Sequence, residues 1–133
     1  MSTYLLDTSA LLAHFFGEAG AEEVQTLFDD EEEIMISVIS VAELAGRLEV
    51  ELGSAESGRV TSAYVAASRQ VAVNLPVART AVTFRQAATR RLPLIDALIA
   101  ASASEARAVL VHRDPHFSAL PARLLAQRVL PSK

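Results

Sequence analysis

The apolar residues of this chain come in short runs separated by helical patterns, and that rhythm restricts the fold more than any other feature. "TYLLD" reads as a buried strand ending at Asp7, "EIMIS" as a second, "AVLVHRD" as a third and "QRVLP" as a short last one. The helical patterns are "TSALLAHFF", closed by Gly17; Ala19 to Phe28; "SVAELAGRLEVEL", ended by Gly53; an Ala-rich stretch from Ser54; and "VARTAVTFRQAATRR". Pro93 separates the last of these from a further helix that carries Asp96. "QVAVNLP" fits a strand or a turn. Strands that are apolar throughout belong in a sheet covered on both faces, and alternation with helices makes that sheet parallel. The expected class is α/β, with helices on both sides of a short central parallel sheet. With 133 residues and no linker, repeat or low-complexity segment, the chain is expected to form one domain over 1–133. A domain of that size buries roughly two-thirds of its unfolded surface, enough for a core.

Composition removes several classes of function. There is no cysteine, so thiol catalysis, thiolate metal sites and disulfides are excluded, which fits a reducing compartment. "MSTYLLDTSALL" has no basic segment before its apolar residues, and an acid interrupts it, unlike a signal peptide. No apolar run approaches the ~20 residues of a spanning helix. The expectation is a cytoplasmic protein with no membrane segment. The net charge of −4 gives no general field for nucleic acid. Hydrophobic residues make up 51% of the chain, an excess that points to a surface covered by a partner.

The aspartates carry the chemistry. Asp29 and Asp30 belong to the run "DDEEE", most simply a solvated loop. Asp7, Asp96 and Asp114 instead end or interrupt apolar sequence. Asp7 has a plain structural role open to it as a helix N-cap, with Thr8 and Ser9 as competing caps. Glu43, in "SVAEL", completes a capping box with Ser40. Asp114 precedes proline after a strand, an ordinary turn signal. Asp96 is harder to dismiss. It is expected in mid-helix among Leu92, Ile99 and Ala100, with no basic residue three or four positions away. An unpaired buried carboxylate is costly, so a counter-charge is required. A distant arginine such as Arg90, Arg91 or Arg113 is one source; a divalent cation shared by several carboxylates is the other. Oxygen-only ligands suit Mg²⁺ or Mn²⁺.

Asp7 in "LLDTSALL", Glu43 in "ISVISVAEL", Asp96 in "LPLIDALIAASA" and Asp114 in "VLVHRDPHF" occur in an order that resembles the PIN-domain nucleases, most closely the VapC-type toxins of toxin–antitoxin pairs. The resemblance covers nearly the whole chain. It implies a PIN-like α/β/α sandwich with the acids meeting at one end of the sheet. It also implies Mg²⁺- or Mn²⁺-dependent endoribonuclease activity with one or two ions, 5′-phosphate and 3′-hydroxyl products, a cognate antitoxin and frequent homodimers. By position, Asp7, Asp96 and Asp114 would be the main metal-site acids and Glu43 would complete the quartet directly or through water. Ser9 would orient Asp7 or a bound water. Two positions depart from the family pattern. His112 stands where threonine is common, and His116 where many members have a further acid.

The arginines near Asp96 (Arg79, Arg85, Arg90 and Arg91), together with Arg113, are candidates for RNA phosphates, since single strands are tracked electrostatically. A solvated helix face is the plainer account for at least half of the four near Asp96. Two rival functions are carried forward. One is a zinc-dependent hydrolase using His112, Asp114 and His116, which would project to one side if the strand continued through them. The other is a catalytically silent PIN-like module that only pairs with an antitoxin. An aspartyl-phosphate phosphatase fits poorly, because "DTS" lacks a second acid two residues on and the lone lysine is Lys133.

Overall fold

In the computed structural model, residues 2–132 are described. The elements run β1 (Thr3–Leu6), α1 (Thr8–Phe16), α2 (Ala21–Asp29), β2 (Glu33–Ser37), α3 (Val38–Leu52) and α4 (Ser54–Ala66). Then come β3 (Arg69–Val71), α5 (Leu75–Ala87), α6 (Leu94–Glu105), β4 (Val109–His112), a 3₁₀ turn (Pro115–Ala119) and β5 (Gln127–Val129). The strands form one parallel sheet in the order β3-β2-β1-β4-β5. Helices flank it on both sides, as the apolar runs predict.

Alternate strand residues serve two cores. Leu5, Met35 and Leu110 pack with Val77, Ala81 and Phe84 of α5, the alanines of α6 and Phe117. Leu6, Ile34, Ile36 and Val111 pack on the opposite face with Leu11 of α1, Leu27 of α2, Leu44 and Leu48 of α3, and Val60 and Tyr64 of α4. The division follows from chain direction. From β1 to β3 the chain steps toward one edge, and it then crosses back to β4 and β5. Crossovers of one hand place the helices of the return on the other face. In α6, Ala97, Ala100, Ala101 and Ala103 are fully buried, and their small side chains let this helix lie close on the sheet.

Three local boundaries differ from the sequence reading. β2 passes into α3 without a loop, so the N-cap is Ser37, whose Oγ accepts from the Ile39 N–H at 3.1 Å. Ser40 lies inside the first turn, buried, and forms no capping box with Glu43. α5 starts earlier than expected, capped by Asn74, and stops at Ala87, leaving Arg90 and Arg91 outside it. Pro93 is the N-cap of α6, which puts Asp96 in the first turn and not in mid-helix. There the unpaired N–H groups and the helix dipole favour a negative charge.

Candidate active site

Parallel α/β sheets offer their ligand sites beyond the carboxyl ends of the strands. β1 ends at Leu6 and Asp7 comes next, its backbone N–H held by the Val111 carbonyl of β4 at 3.0 Å. Asp7 also N-caps α1, so the capping role open to it in the sequence is filled. Its Oδ2 accepts from both the Ser9 N–H at 3.1 Å and the Ser9 hydroxyl at 2.6 Å. The same Ser9 Oγ accepts from the Arg113 N–H at 2.9 Å, tying the carboxylate to the end of β4. Ser9 thus holds the Asp7 carboxylate through two donors and links it to the Arg113 backbone.

Asp114 leaves β4 two residues after His112 and caps the 3₁₀ turn, with Oδ1 accepting from the His116 N–H at 2.9 Å. That tight Asp-Pro-His turn brings the His116 ring alongside. His116 Nδ1 lies 3.1 Å from Asp114 Oδ1 and 3.1 Å from Asp96 Oδ2. One ligand atom from each of Asp96, Asp114 and His116 lies within 4.8 Å of the others. Glu43, exposed on α3, accepts at Oε1 from the Thr8 hydroxyl at 2.7 Å, which holds it beside the start of α1.

The electrostatics report the same convergence. Asp7 is only 3% exposed, and burial, then the fields of Asp114 and Asp96, push its carboxyl up to about 7 against the lowering effect of Ser9. Asp96 is pushed up to about 6, first by burial and then by Asp114; Glu43 adds to the rise and His116 opposes it. The fields of Asp114 and Asp96 reach Asp7, and those of Asp114 and Glu43 reach Asp96, while the ligand atoms close enough to share one ion belong to Asp96, Asp114 and His116. Asp7 and Asp96 hold protons at pH values where isolated aspartates do not.

A hard divalent ion fits the close trio of Asp96, Asp114 and His116. The donors are carboxylate oxygens with one imidazole nitrogen, and both hydrogen bonds to Asp7 fall on Oδ2. A cation would relieve the repulsion that raises the carboxyl pKa values.

The expected counter-charges do not reach Asp96. Arg113 donates to Glu18 Oε1 at 2.6 Å and to the Ala19 carbonyl at 3.1 Å. Arg90 donates to the Ser118 hydroxyl and the Pro115 carbonyl, and Arg91 is exposed. Arg85 Nε is spent on the Leu92 carbonyl at 3.1 Å. The partner of Asp96 is His116.

The zinc trio of the sequence reading is corrected. β4 ends at His112, and its ring is buried with both nitrogens engaged. Nε2 meets Gln127 Oε1 at 2.7 Å, and Nδ1 accepts from the Asp114 N–H at 3.1 Å. Burial holds this imidazole below its ordinary pKa, consistent with a neutral ring that steadies Asp114. His116 alone of the pair faces the acids. The sequence marked Thr8 only as a possible cap. Its bond to Glu43 joins residues 35 positions apart and leaves no local signal.

This arrangement of a parallel sheet between helices has counterparts among known proteins. The PIN domain family model matches residues 4–122, and the chain belongs to that family. No curated protein sequence matches. Among solved structures, VapBC2 from Rickettsia felis, bound to a DNA fragment from its promoter, is similar with TM-score 0.78 and 18% identity over 97% of this chain and 99% of that one. VapBC-5 from Mycobacterium tuberculosis, a member of the VapBC toxin–antitoxin systems, has TM-score 0.69 and 19% identity over 99% and 100%. VapC20 from the same organism, a toxin that cleaves the sarcin-ricin loop, has TM-score 0.71 and 18% identity over 96% and 99%. At these identities the likeness is one of fold.

Proposed function

We propose that this chain, over 1–133, is a single-domain Mg²⁺- or Mn²⁺-dependent endoribonuclease toxin, neutralised by a cognate antitoxin. The observation that carries the reading is the meeting of Asp96 and Asp114, far apart in sequence, with His116, their ligand atoms within 4.8 Å of one another beyond the strand ends, with Asp7 and Glu43 coupled to them through their fields. Membership of the PIN family and the full-length likeness to toxins of VapBC pairs support it.

Asp7, Asp96 and Asp114 are the residues that would hold one or two ions. A bound divalent ion supplies the positive charge that polarises a phosphodiester and makes water more acidic. Asp7, fixed by Ser9, is aimed rather than mobile, so little ordering remains to be done when substrate arrives. Glu43 is the most solvent-open of the four and is steadied by Thr8, which suits it to take a proton from an attacking water. Arg90 and Arg91 lie exposed in the segment just before α6, where they can meet RNA phosphates. Arg113, occupied by Glu18, would contribute only if that pair opened.

The partner reading rests on apolar surface. A groove of about 420 Å³ lies among His14, Phe15, Phe28, Val60, Ala63 and Tyr64 of α1, α2 and α4. A second, of about 630 Å³, runs between α5 and α6 past Val82, Leu94 and Leu98. These suit an antitoxin peptide and a second copy of the chain. The test is cleavage of a broad RNA panel by the purified, antitoxin-free chain with Mn²⁺. Wild type should cut to leave 3′-hydroxyl ends, and Asp96→Asn should fall to background. No cleavage by wild type would favour the silent binding module.

A further inference from the structure

We propose that His116 is a nitrogen ligand of the cation site and shifts its preference from Mg²⁺ toward Mn²⁺; the inference rests on the metal-site reading above. Three observations carry it. His116 Nδ1 stands 3.1 Å from one oxygen of Asp96 and 3.1 Å from one oxygen of Asp114. Neighbouring ligands of an octahedral ion with bonds of ~2.1 Å lie ~3.0 Å apart, so these separations match two edges of such a shell. The backbone also fixes the ring. Asp114 Oδ1 accepts from the His116 N–H, Pro115 locks the turn between them, and the adjoining Phe117 is anchored in the core. A longer, freer side chain would have to be ordered by the ion; this one is already in place. Finally, His112 is excluded from the site by bonds on both nitrogens, so the imidazole offered to an ion is that of His116.

The donor set decides the preference. Mg²⁺ demands oxygen ligands in near-ideal geometry and gives up water reluctantly. Imidazole is a better ligand for first-row transition ions, and along that series Mn²⁺ lies nearest to Mg²⁺ in its taste for carboxylate. Two carboxylate oxygens and one imidazole nitrogen therefore keep a site that accepts Mg²⁺ but holds Mn²⁺ more firmly. Replacing His116 by aspartate would return the set to oxygen alone.

The experiment uses the purified, chelator-treated chain, loaded with Mn²⁺ and read by pulsed electron spin resonance, with Mn²⁺ and Mg²⁺ affinities measured by calorimetry. Wild type should show nitrogen modulation of the Mn²⁺ echo. H116D should lose it, retain Mn²⁺, and show a several-fold lower ratio of Mn²⁺ to Mg²⁺ affinity; H116Q should also lose the modulation. D114N serves as the control for the site itself and should lose Mn²⁺. Mn²⁺ that binds in an Asp114-dependent manner without nitrogen modulation overturns the assignment of His116 and leaves the acidic site standing. Modulation that persists in H116D also overturns it. No Mn²⁺ binding by wild type overturns both.

Discussion

Asp7 shows most plainly what the proposed site would cost in stability. It is buried, its carboxyl is held up to about 7, and the nearest charges are other acids. Above that pH and without a cation, the native fold carries a charge it would be more stable without. Each unit of raised pKa corresponds to about 1.4 kcal/mol. Asp7→Asn should therefore stabilise the chelator-treated chain at pH 8 in urea unfolding, by less than the roughly 4 kcal/mol those units imply because the buried amide keeps a desolvation cost of its own, while abolishing RNA cleavage. An unchanged or lower stability would mean that the burial cost is met by groups other than a cation. Thr8→Val removes the hydroxyl that holds Glu43 and leaves the helix start intact. Cleavage should fall by roughly 10–100-fold, the usual cost of losing a hydrogen-bond partner that orients a carboxylate of the proposed site, with no change in thermal midpoint beyond a few degrees.

Tyr64 and Gly20 locate the stresses of the helical layer. The Tyr64 hydroxyl, on α4, meets His14 Nδ1 of α1 at 2.6 Å, and burial pushes the phenol up to about 12. The native state keeps this proton more tightly than the unfolded chain, whose tyrosine titrates near 10. The stability from this group is complete below pH 10 and lost as pH rises through 12. Tyr64→Phe should flatten that part of the alkaline unfolding curve and cost about 1 kcal/mol at neutral pH through the lost hydrogen bond. Gly20 precedes α2 at φ 97°, and a Cβ there would come within 2.9 Å of Leu130 Cβ. Gly20→Ala should cost about 1–3 kcal/mol in urea unfolding through strain and overlap together. The strands were legible in sequence because β1, β2 and β4 are apolar on both faces. Helix starts were not, because Ser37 and Ser40 are equally good caps and only the tertiary path of β2 chooses between them. The acids stood out because a charge in an apolar run demands a reason. His116 is marked in the sequence only as a departure from the family pattern or a zinc ligand beside His112; its pairing with Asp96 depends on α6 arriving from another part of the chain.

The reversal of chain direction after β3 brings the first turn of α6 to the same sheet end as Asp7 and the 3₁₀ turn, so the acids meet because of the topology and not because of sequence proximity. The same reversal leaves α5 and the start of α6 with Val82, Leu94 and Ile95 exposed. Homodimers should appear by light scattering at micromolar concentration, and a monomer there would reject the dimer reading while leaving the nuclease reading untouched. Among the described residues no helix is long and apolar enough to cross a membrane. What unites these features is a sheet end whose crowded carboxylates a divalent cation would stabilise. Anomalous scattering from a Mn²⁺-soaked crystal tests this directly. The expected result is a peak in contact with Asp96 and Asp114, with Asp7 close by. A well-ordered site with all four carboxyls visible and no peak at saturating Mn²⁺ would contradict it.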